Sequence, residues 1–493
     1  MSHHLVLTLV LTLACACSAE PAQQLDGPSA DLGADVTPRA DTTPRSDTTI
    51  DVGVPDAFPG RSWAVAAGGS GDSGYTDKTY GAAVHAGSGD IIIAGTYVGE
   101  GRFGDQRVSS SGRLASYVAR IDSAGTFKWV VSAAGSGQSQ VLANDIAVDS
   151  AGNSYVIGTF LGGATFGSTT LSHTGQTFGS TFVAKLDRAG AFVWAKAFGG
   201  SGLTIAVDES GAKPTLLVAG SFSNTSSFGG TTLTATGKAD IYVARLDGDG
   251  AVLWAQSAPT SASAEAKPVS IASDASGIWL SASIGVSTTF GATTLVPQGP
   301  GKNGVLARLD SGGNFVWAKL VAASESTAAR VRPDGVGGVL AIGSFSGTLS
   351  LGGRTASAGN LDTWVARLDS SGSAQWLSRF GGPQPTIGAG IAVDRDGVYI
   401  SGSLRTAATF GSQMLVSKGG LDAFVARLAL ADGTVRWALR GGGASDDYGL
   451  AVAAAPDGSA VVVGSFHRAA ELGGEGVSAN GDFDTFVWKL KLD

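Results

Sequence analysis

The chain contains almost no cysteine and very little histidine. Of its 493 residues only two are cysteine, Cys15 and Cys17, and only five are histidine. Both cysteines lie near the N-terminus, so the rest of the chain cannot form disulfides. His85, His173 and His467 do not have the spacing of a metal-binding motif. These absences exclude a disulfide-stapled fold and a Cys/His zinc site, and they leave little for serine–histidine catalysis.

Charge is also scarce. Only 15% of the residues are charged, and the net charge is −8. Residues 20–60 hold eight acidic residues against Arg39 and Arg45, a net of −6, which leaves −2 for residues 61–493. Proteins that bind nucleic acid carry a strong excess of positive charge. The composition therefore excludes nucleic acid as a partner.

An internal repeat fills the chain from residue 61 onward. Seven tryptophans recur at similar intervals, most of them after a lead-in such as VARLDGDGAVLW. A fixed period of this size indicates repeated supersecondary units that bury their apolar faces against their neighbours. A tryptophan present in every unit predicts a packing role rather than sugar stacking. The seven are Trp63, Trp129, Trp194, Trp254, Trp317, Trp376 and Trp437.

One unit, residues 144–199, contains four strand-like segments. They cover 146–149, 154–160, 181–187 and 192–198, and each is rich in β-branched or aromatic residues. Turn residues separate them, and no segment of the chain has a sustained helical period. The pattern predicts an all-β fold with four antiparallel strands in each unit.

Two recurring motifs predict particular turns and loops. The turn before the last strand keeps Asp first and Gly last, as in Asp187–Gly190, which is typical of a type I turn followed by a bulge with glycine in the left-handed conformation. Motifs such as TFGSTTL (165–171) predict a small hairpin between the second and third strands. The aspartates of the IAVD motif could form a cation-binding ring, but a role in local turns is favoured. They are Asp149, Asp208, Asp274 and Asp394.

The two ends of the repeat region are complementary. Residues 61–69 resemble a fourth strand that has no first three strands before it, and residues 484–493 resemble a third strand that has no fourth strand after it. Joining them would complete a unit and cover two free sheet edges. The sequence thus predicts a closed seven-bladed β-propeller whose last blade is completed by the N-terminal strand.

The combination of IAVDxxG, YVxGxF and DxFVAKLDxxGxxxWAxxFGG resembles the seven-bladed β-propeller repeat (SBBP) of bacterial secreted proteins and, more distantly, NHL repeats. The resemblance covers about residues 61–493. It implies the propeller fold and supplies no catalytic residues. Two copies depart from the motif, because SIASD (270–274) and RVRPD (330–334) replace IAVD.

The N-terminal residues 1–17 have the features of a secretory signal. An apolar run, LVLTLVLTLACAC, is too short to span a membrane. The small residues before the cysteines resemble the lipobox of bacterial lipoproteins, which implies acylation of Cys17 or, alternatively, of Cys15. The other interpretation is an ordinary signal that is cleaved near Ala16 or Ala19.

Residues 18–60 are rich in Asp, Thr, Pro and Ala, and they cannot bury a core. This composition predicts that they form a disordered tether between the lipid anchor and the folded part, residues 61–493. Together these features predict an extracytoplasmic lipoprotein of the outer membrane or cell surface, with a secreted or periplasmic protein as the alternative.

Two loops differ from the others in being rich in acidic and aromatic residues. They cover 68–81 and 441–449, and ring closure would place them in adjacent blades. They could bind Ca²⁺ through hard oxygen ligands, or a glycan or peptide through Tyr and Asp. The alternative is that they are hydrated loop residues bonded to nearby amides. The candidate ligand patch comprises Asp72, Tyr75, Asp77, Tyr80, Asp446, Asp447 and Tyr448.

The sequence favours a monomeric binding or interaction module, anchored by lipid, whose partner is an unidentified protein or glycan. It assigns no catalytic residue and no cofactor other than the possible Ca²⁺. One alternative is an envelope enzyme that acts on polysaccharide or peptide, with its site at the same patch. This would require a convergent set of acidic and basic groups with shifted pKa values. The other alternative is a structural envelope protein without a ligand.

Overall fold

Antiparallel β-strands make up the regular structure of this protein. The computed structural model describes residues 62–69, 78–173, 179–261 and 266–492, and these residues contain no helix. All of them belong to one compact unit. Cys15, Cys17 and the predicted signal and tether lie outside the described residues. The all-β prediction is confirmed.

The strands, in chain order, are β1 (Trp63–Gly69), β2 (Lys78–Val84), β3 (Ile91–Tyr97), β4 (Glu100–Phe103), β5 (Gln106–Ser109), β6 (Gly112–Ile121), β7 (Phe127–Ala133), β8 (Gly137–Val148), β9 (Ser154–Leu161), β10 (Gly163–Phe166), β11 (Thr169–Ser172), β12 (Ser180–Leu186), β13 (Phe192–Phe198), β14 (Ser201–Asp208), β15 (Thr215–Phe222), β16 (Thr225–Phe228), β17 (Thr231–Thr234), β18 (Asp240–Asp247) and β19 (Val252–Ala258). They continue with β20 (Ala266–Asp274), β21 (Gly277–Ile284), β22 (Thr288–Phe290), β23 (Thr293–Leu295), β24 (Asn303–Leu309), β25 (Phe315–Val321), β26 (Glu325–Ser326), β27 (Arg330–Pro333), β28 (Val339–Leu351), β29 (Arg354–Leu368), β30 (Ala374–Phe380), β31 (Thr386–Val393), β32 (Gly397–Phe410), β33 (Gln413–Ala429), β34 (Val435–Gly441), β35 (Asp447–Ala454), β36 (Ala460–Leu472) and β37 (Glu475–Leu490).

One antiparallel order of four strands recurs along the chain. We number the resulting groups as repeat units. They are unit 1 (β2, β3, β6, β7), unit 2 (β8, β9, β12, β13), unit 3 (β14, β15, β18, β19), unit 4 (β20, β21, β24, β25), unit 5 (β26 with β27, then β28, β29, β30), unit 6 (β31 to β34) and unit 7 (β35, β36, β37, β1).

Burial differs systematically across a unit. The second strand is covered on both faces, as in β3, whose seven residues are all buried. This explains its nearly continuous apolar sequence, IIIAGTY. The fourth strand alternates between exposed and covered residues, and Val193 in β13 is 55% exposed. The hydrophobic clusters combine residues of adjacent units, so the main core lies between units as well as within them.

A small hairpin follows the second strand, as the TFGSTTL motif predicts. In unit 2 it consists of β10 and β11, and Phe166 turns inward to pack against Phe182, with 4.8 Å between ring centroids. The preceding unit reaches the hairpin through a bridge between Ala134 and Thr165. In units 5 to 7 the hairpin is continuous with the second and third strands.

The repeated tryptophans join neighbouring units. Trp129 of unit 1 donates its indole N–H to the carbonyl oxygen of Arg188, in the last turn of unit 2, at 3.1 Å. Gly190 of the same turn has φ 90°, and a Cβ there would lie 2.7 Å from the Trp129 ring. The predicted packing role of tryptophan and the predicted left-handed glycine are therefore both confirmed. The same contact recurs from Trp194 to Gly248, from Trp317 to Ser370 and from Trp376 to Leu430.

The N-terminal strand pairs with the C-terminal strand, as the sequence predicts. Strand β1 is antiparallel to β37, with Trp63 opposite Lys489 and Ala67 opposite Thr485. The other end of β1 pairs with β4 of unit 1. This strand thus has a partner along both of its edges.

Candidate functional site

The first strands of the seven units line a single cavity, which we call the inner cavity. Strands β2, β8, β14, β20, β27, β31 and β35 contact one another in this order, and β35 also contacts β2. The volume of the cavity is about 330 Å³, and every one of these strands contributes lining residues. The IAVD motif lies on these strands, and its first three residues line the cavity in units 2 and 3.

One position of the motif carries alanine in six units and arginine in the seventh. In unit 2, Ile146 and Ala147 both line the cavity, and Ile146 also packs in the core shared with unit 1. In unit 5, Arg332 occupies the position that corresponds to Ala147. The alanines of this cavity-lining ring are Ala83, Ala147, Ala206, Ala272, Ala392 and Ala453.

The side chain of Arg332 is partly buried, and its guanidinium is a positive charge in a cavity lined mainly by aliphatic residues. Its Nη1 donates to the carbonyl oxygen of Val331 at 2.9 Å, and among the described residues no carboxylate forms an ion pair with it. The pKa of Arg332 is lowered to about 10, mainly by desolvation and also by the charge of Arg330, while the charge of Asp145 opposes part of this shift. The protein therefore compensates this charge incompletely.

Arg330 lies two residues before Arg332, and it reaches strands of other units. Its Nη1 is 3.5 Å from Oδ1 of Asp145 in unit 2, and its Nη2 donates to the carbonyl oxygen of Tyr80 at 3.1 Å. Asp145 also accepts a hydrogen bond from the Thr204 hydroxyl at 2.8 Å. The carboxylate of Asp145 is therefore already engaged, and it does not neutralise Arg332.

The sequence signal for this site is the departure of RVRPD (330–334) from IAVD. The sequence alone assigns it no function, because only the strand register shows that Arg332 occupies the cavity-lining position that six other units give to alanine.

Three members of the predicted ligand patch, Asp72, Tyr75 and Asp77, lie outside the described residues. Tyr80 lies on β2, and its carbonyl oxygen accepts the hydrogen bond from Arg330. Strand β2 contacts β35, which carries other members of the patch. The strands that follow the two loops, β2 and β35, are thus neighbours. The binding role of the patch stays a prediction.

The remaining members of the patch, Asp446, Asp447 and Tyr448, are all engaged with protein groups. Oδ1 of Asp446 accepts a hydrogen bond from the backbone N–H of Leu421 at 2.8 Å. The Tyr448 hydroxyl donates to Oδ2 of Asp446 at 3.4 Å. Asp447 is fully buried, and its Oδ2 accepts from the Gly443 N–H at 2.6 Å. The structure thus places Asp447 in the interior rather than among surface loop residues.

Asp447 lies near a second buried carboxyl group, that of Asp422. An ideal Cβ on Gly442 would lie 2.9 Å from Oδ1 of Asp422 and 2.9 Å from Oδ2 of Asp447. The pKa of Asp447 is raised to about 7, mainly by burial and also by the charges of Asp422 and Asp446, while hydrogen bonds from the backbone of Gly443 and His467 oppose this shift. Oδ1 of Asp422 is buried without a hydrogen-bond partner.

The IAVD aspartates hold turns, as the favoured interpretation predicts. Oδ1 of Asp394 accepts hydrogen bonds from the N–H groups of Asp396 and Gly397, at 3.0 and 2.7 Å. Its Oδ2 accepts from Arg427 of the third strand at 2.9 Å. Among the described residues there is no group of three or more His, Cys, Asp or Glu side chains arranged to hold a metal ion.

No family model matches this chain, and no characterised protein matches it in sequence. Solved structures with a similar arrangement include the quinohemoprotein alcohol dehydrogenase of Comamonas testosteroni, at 11% identity and a TM-score of 0.36, over 79% of this chain and 65% of that one. The hydrazine synthase of Kuenenia stuttgartiensis matches at 14% identity and a TM-score of 0.41, over 78% of this chain and 92% of that one.

A europium-containing methanol dehydrogenase matches at 11% identity and a TM-score of 0.34, over 82% of this chain and 80% of that one. The chain spans less than two thirds of the length of the Comamonas enzyme. At TM-scores below 0.5, these likenesses assign neither an activity nor a cofactor to this chain. Within the part of the chain that the structure describes, no helix is long and apolar enough to cross a membrane.

Proposed function

We propose that the seven repeat units are the blades of a closed β-propeller of the SBBP type, which acts as a binding module. Closure is supported by the contact between unit 7 and unit 1. Trp63 donates its indole N–H to the carbonyl oxygen of Ser123, in the last turn of unit 1, at 3.1 Å. This is the junction that Trp129 makes with Arg188, and it joins the last unit to the first.

The observation that carries a binding role is the inner cavity, because all seven first strands contribute to it. A cavity lined mainly by small aliphatic side chains with a few charged groups is typical of a small-molecule site. A catalytic role would require accessible, converging acidic and basic groups. The buried carboxyl pair near the patch, Asp422 and Asp447, has no exposed surface through which a substrate could reach it.

The N-terminal sequence alone supports a location for the binding module. We propose that acylation of Cys17, or of Cys15, holds the propeller at an extracytoplasmic membrane surface through the tether of residues 18–60. An anchored head of this kind is suited to capturing soluble molecules near the membrane. Outer-membrane or cell-surface exposure is the location that we favour.

The proposed function is tested by immobilising the full chain and passing envelope extract, separated into small molecules, glycans and proteins, over it. We expect the immobilised chain to retain a discrete component in a saturable way. Adding the same protein in solution should compete for that component, and immobilised heat-denatured protein should not retain it. The reverse result, with no retention and with turnover of an envelope polysaccharide or peptide, would favour the enzyme alternative.

A further inference from the structure

The inner cavity holds one charged side chain that the repeat does not require. Six units place alanine at this position, so the fold is compatible with a small apolar residue there. We propose that Arg332 forms a binding site for one small oxyanion, a carboxylate or a phosphate, inside the inner cavity. The site rests on the proposed function, because it requires the seven first strands to enclose a single cavity.

The charges around the site favour an anion. Arg332 and Asp145 both line the cavity, and Arg330, beside it, is the cation that pairs with Asp145. Because Asp145 is paired with Arg330 and bonded by Thr204, the guanidinium of Arg332 has no ionic partner among the described residues. A bound anion would supply the missing negative charge in a partly buried setting, where such hydrogen bonds are stronger than in water.

The hydrogen-bonding geometry of the guanidinium group limits the chemical class of the ligand. Its planar set of N–H donors matches two oxygens of a carboxylate or a phosphate, which an ammonium group cannot do with the same geometry. One donor atom, Nη1, is already shared with the Val331 carbonyl oxygen. The other N–H groups of Arg332 are the donors that we assign to the oxyanion.

The volume of the cavity limits the size of the ligand. About 330 Å³ is room for roughly ten water molecules at about 30 Å³ each. A phosphate or a short carboxylate fits this space together with a few waters. The lining residues do not include Asp446 or Tyr448 of the predicted patch, so the two sites are distinct.

The experiment is a calorimetric titration of the full chain at neutral pH and constant ionic strength, with sodium phosphate in one arm and sodium acetate in the other. Arg332→Ala supplies the seventh alanine of the ring. Arg436→Ala is the matched control, because Arg436 is exposed on β34 and its removal changes the net charge equally. Thermal unfolding of each variant without added oxyanion is the second measurement.

We expect wild type and Arg436→Ala to bind one phosphate or acetate per chain with saturation. Arg332→Ala should bind roughly tenfold to a hundredfold more weakly, the loss typical of a charged hydrogen bond. Binding in only one arm identifies which oxyanion the site takes. Without oxyanion, Arg332→Ala should unfold at a higher temperature than wild type, because it removes an uncompensated charge from the cavity.

Two results would overturn the proposal in different ways. Equal binding by wild type and Arg332→Ala, or no saturable binding by wild type, eliminates the oxyanion site. If the immobilised chain nevertheless retains a component of envelope extract, the binding module stands without this site. If neither anion binds and nothing is retained from the extract, the proposed function fails together with the site. An Arg332→Ala variant that is less heat-stable than wild type would contradict the uncompensated charge at this position.

Discussion

The indole nitrogen of Trp63 lies 3.1 Å from the carbonyl oxygen of Ser123, to which it donates a hydrogen bond. Ser123 belongs to the turn that ends in Gly125, whose ideal Cβ would lie 3.0 Å from the Trp63 ring. Trp129 and Gly190 repeat this arrangement between units 1 and 2. The N-terminal strand is thus fixed by the contact that Trp129, Trp194, Trp317 and Trp376 make between consecutive units.

Replacing Trp63 by Phe should remove this hydrogen bond and keep most of the ring packing. We expect a loss of about 0.5–1.5 kcal/mol in the free energy of unfolding, measured by urea denaturation. Trp254→Phe is the matched control, since Trp254 has the same place in its unit but its buried indole N–H has no partner. Equal losses for the two variants would contradict a stabilising role for the Trp63 hydrogen bond.

Replacing Gly190 by Ala tests the close approach of turn and tryptophan. The new Cβ would lie 2.7 Å from the Trp129 ring on a residue with φ 90°. Gly353 has a similar φ, 87°, but nothing within 4 Å of an added Cβ. We expect Gly353→Ala to cost about 1–2 kcal/mol for its conformation alone, and Gly190→Ala to cost about 1–3 kcal/mol more because of the clash. Thermal unfolding of both variants provides the comparison.

The raised pKa of Asp447 predicts a pH dependence of stability. The folded protein binds this proton more tightly than the unfolded chain does, so the stabilisation is complete below the unfolded pKa of 3.8 and is lost as the pH rises to about 7. Asp447→Asn cannot ionise, and it should show a smaller fall in the free energy of unfolding between pH 4 and pH 7 than wild type. Chemical denaturation across this range measures the difference.

A matched control for this pH dependence is Asp457→Asn. Hydrogen bonds from Ser459 and Lys489 outweigh desolvation and lower the pKa of Asp457 to about 2, so its contribution is lost only as the pH falls towards that value. Between pH 4 and pH 7 the free energy of unfolding of Asp457→Asn should change with pH as that of wild type does. If the free energy of unfolding of Asp447→Asn changes with pH as that of wild type does, Asp447 does not hold a proton in this range.

The contact between Arg330 and Asp145 should stabilise the protein measurably. Asp145→Asn would leave Arg330 without its carboxylate, and we expect a loss of about 2–4 kcal/mol, because both side chains are largely buried. The double variant Arg330→Ala with Asp145→Asn should recover part of this loss. Purely additive effects in the double-mutant cycle would rule out coupling between the two side chains.

The lipid anchor is tested by Cys17→Ser, with Cys15→Ser as its matched control. If Cys17 is acylated, its substitution should move the protein from the membrane fraction to the soluble fraction and abolish labelling by radioactive palmitate. Cys15→Ser should then retain both properties. Unchanged partitioning and labelling in both single variants and in the double variant would contradict the lipoprotein proposal.

Local patterns predicted local structure well. The glycine of the last turn and the hairpin motif are short-range signals, and Gly190 and Phe166 occupy the predicted places. The pairing of β1 with β37 was also predictable, because one end of the repeat lacks a strand that the other end supplies.

The candidate site could not be predicted in the same way. Arg330 and Asp145 are 185 residues apart, and nothing in either segment indicates that they meet. Asp447 appeared to be one of several acidic loop residues, yet it begins β35 and lies close to Asp422 of unit 6. Such contacts depend on how the first and third strands of different units are packed together, which a one-dimensional motif does not specify.

The pairing of β1 with β37 has a consequence for the order in which the protein folds. Lys489, the strand partner of Trp63, is synthesised more than 400 residues after it. Strand β1 must therefore wait for this partner while the units between them are made, and a chain truncated before residue 484 would never supply it. Pairing of this edge is thus coupled to the synthesis of β37, so a chain that lacks β37 presents an open strand edge that proteases and chaperones can recognise.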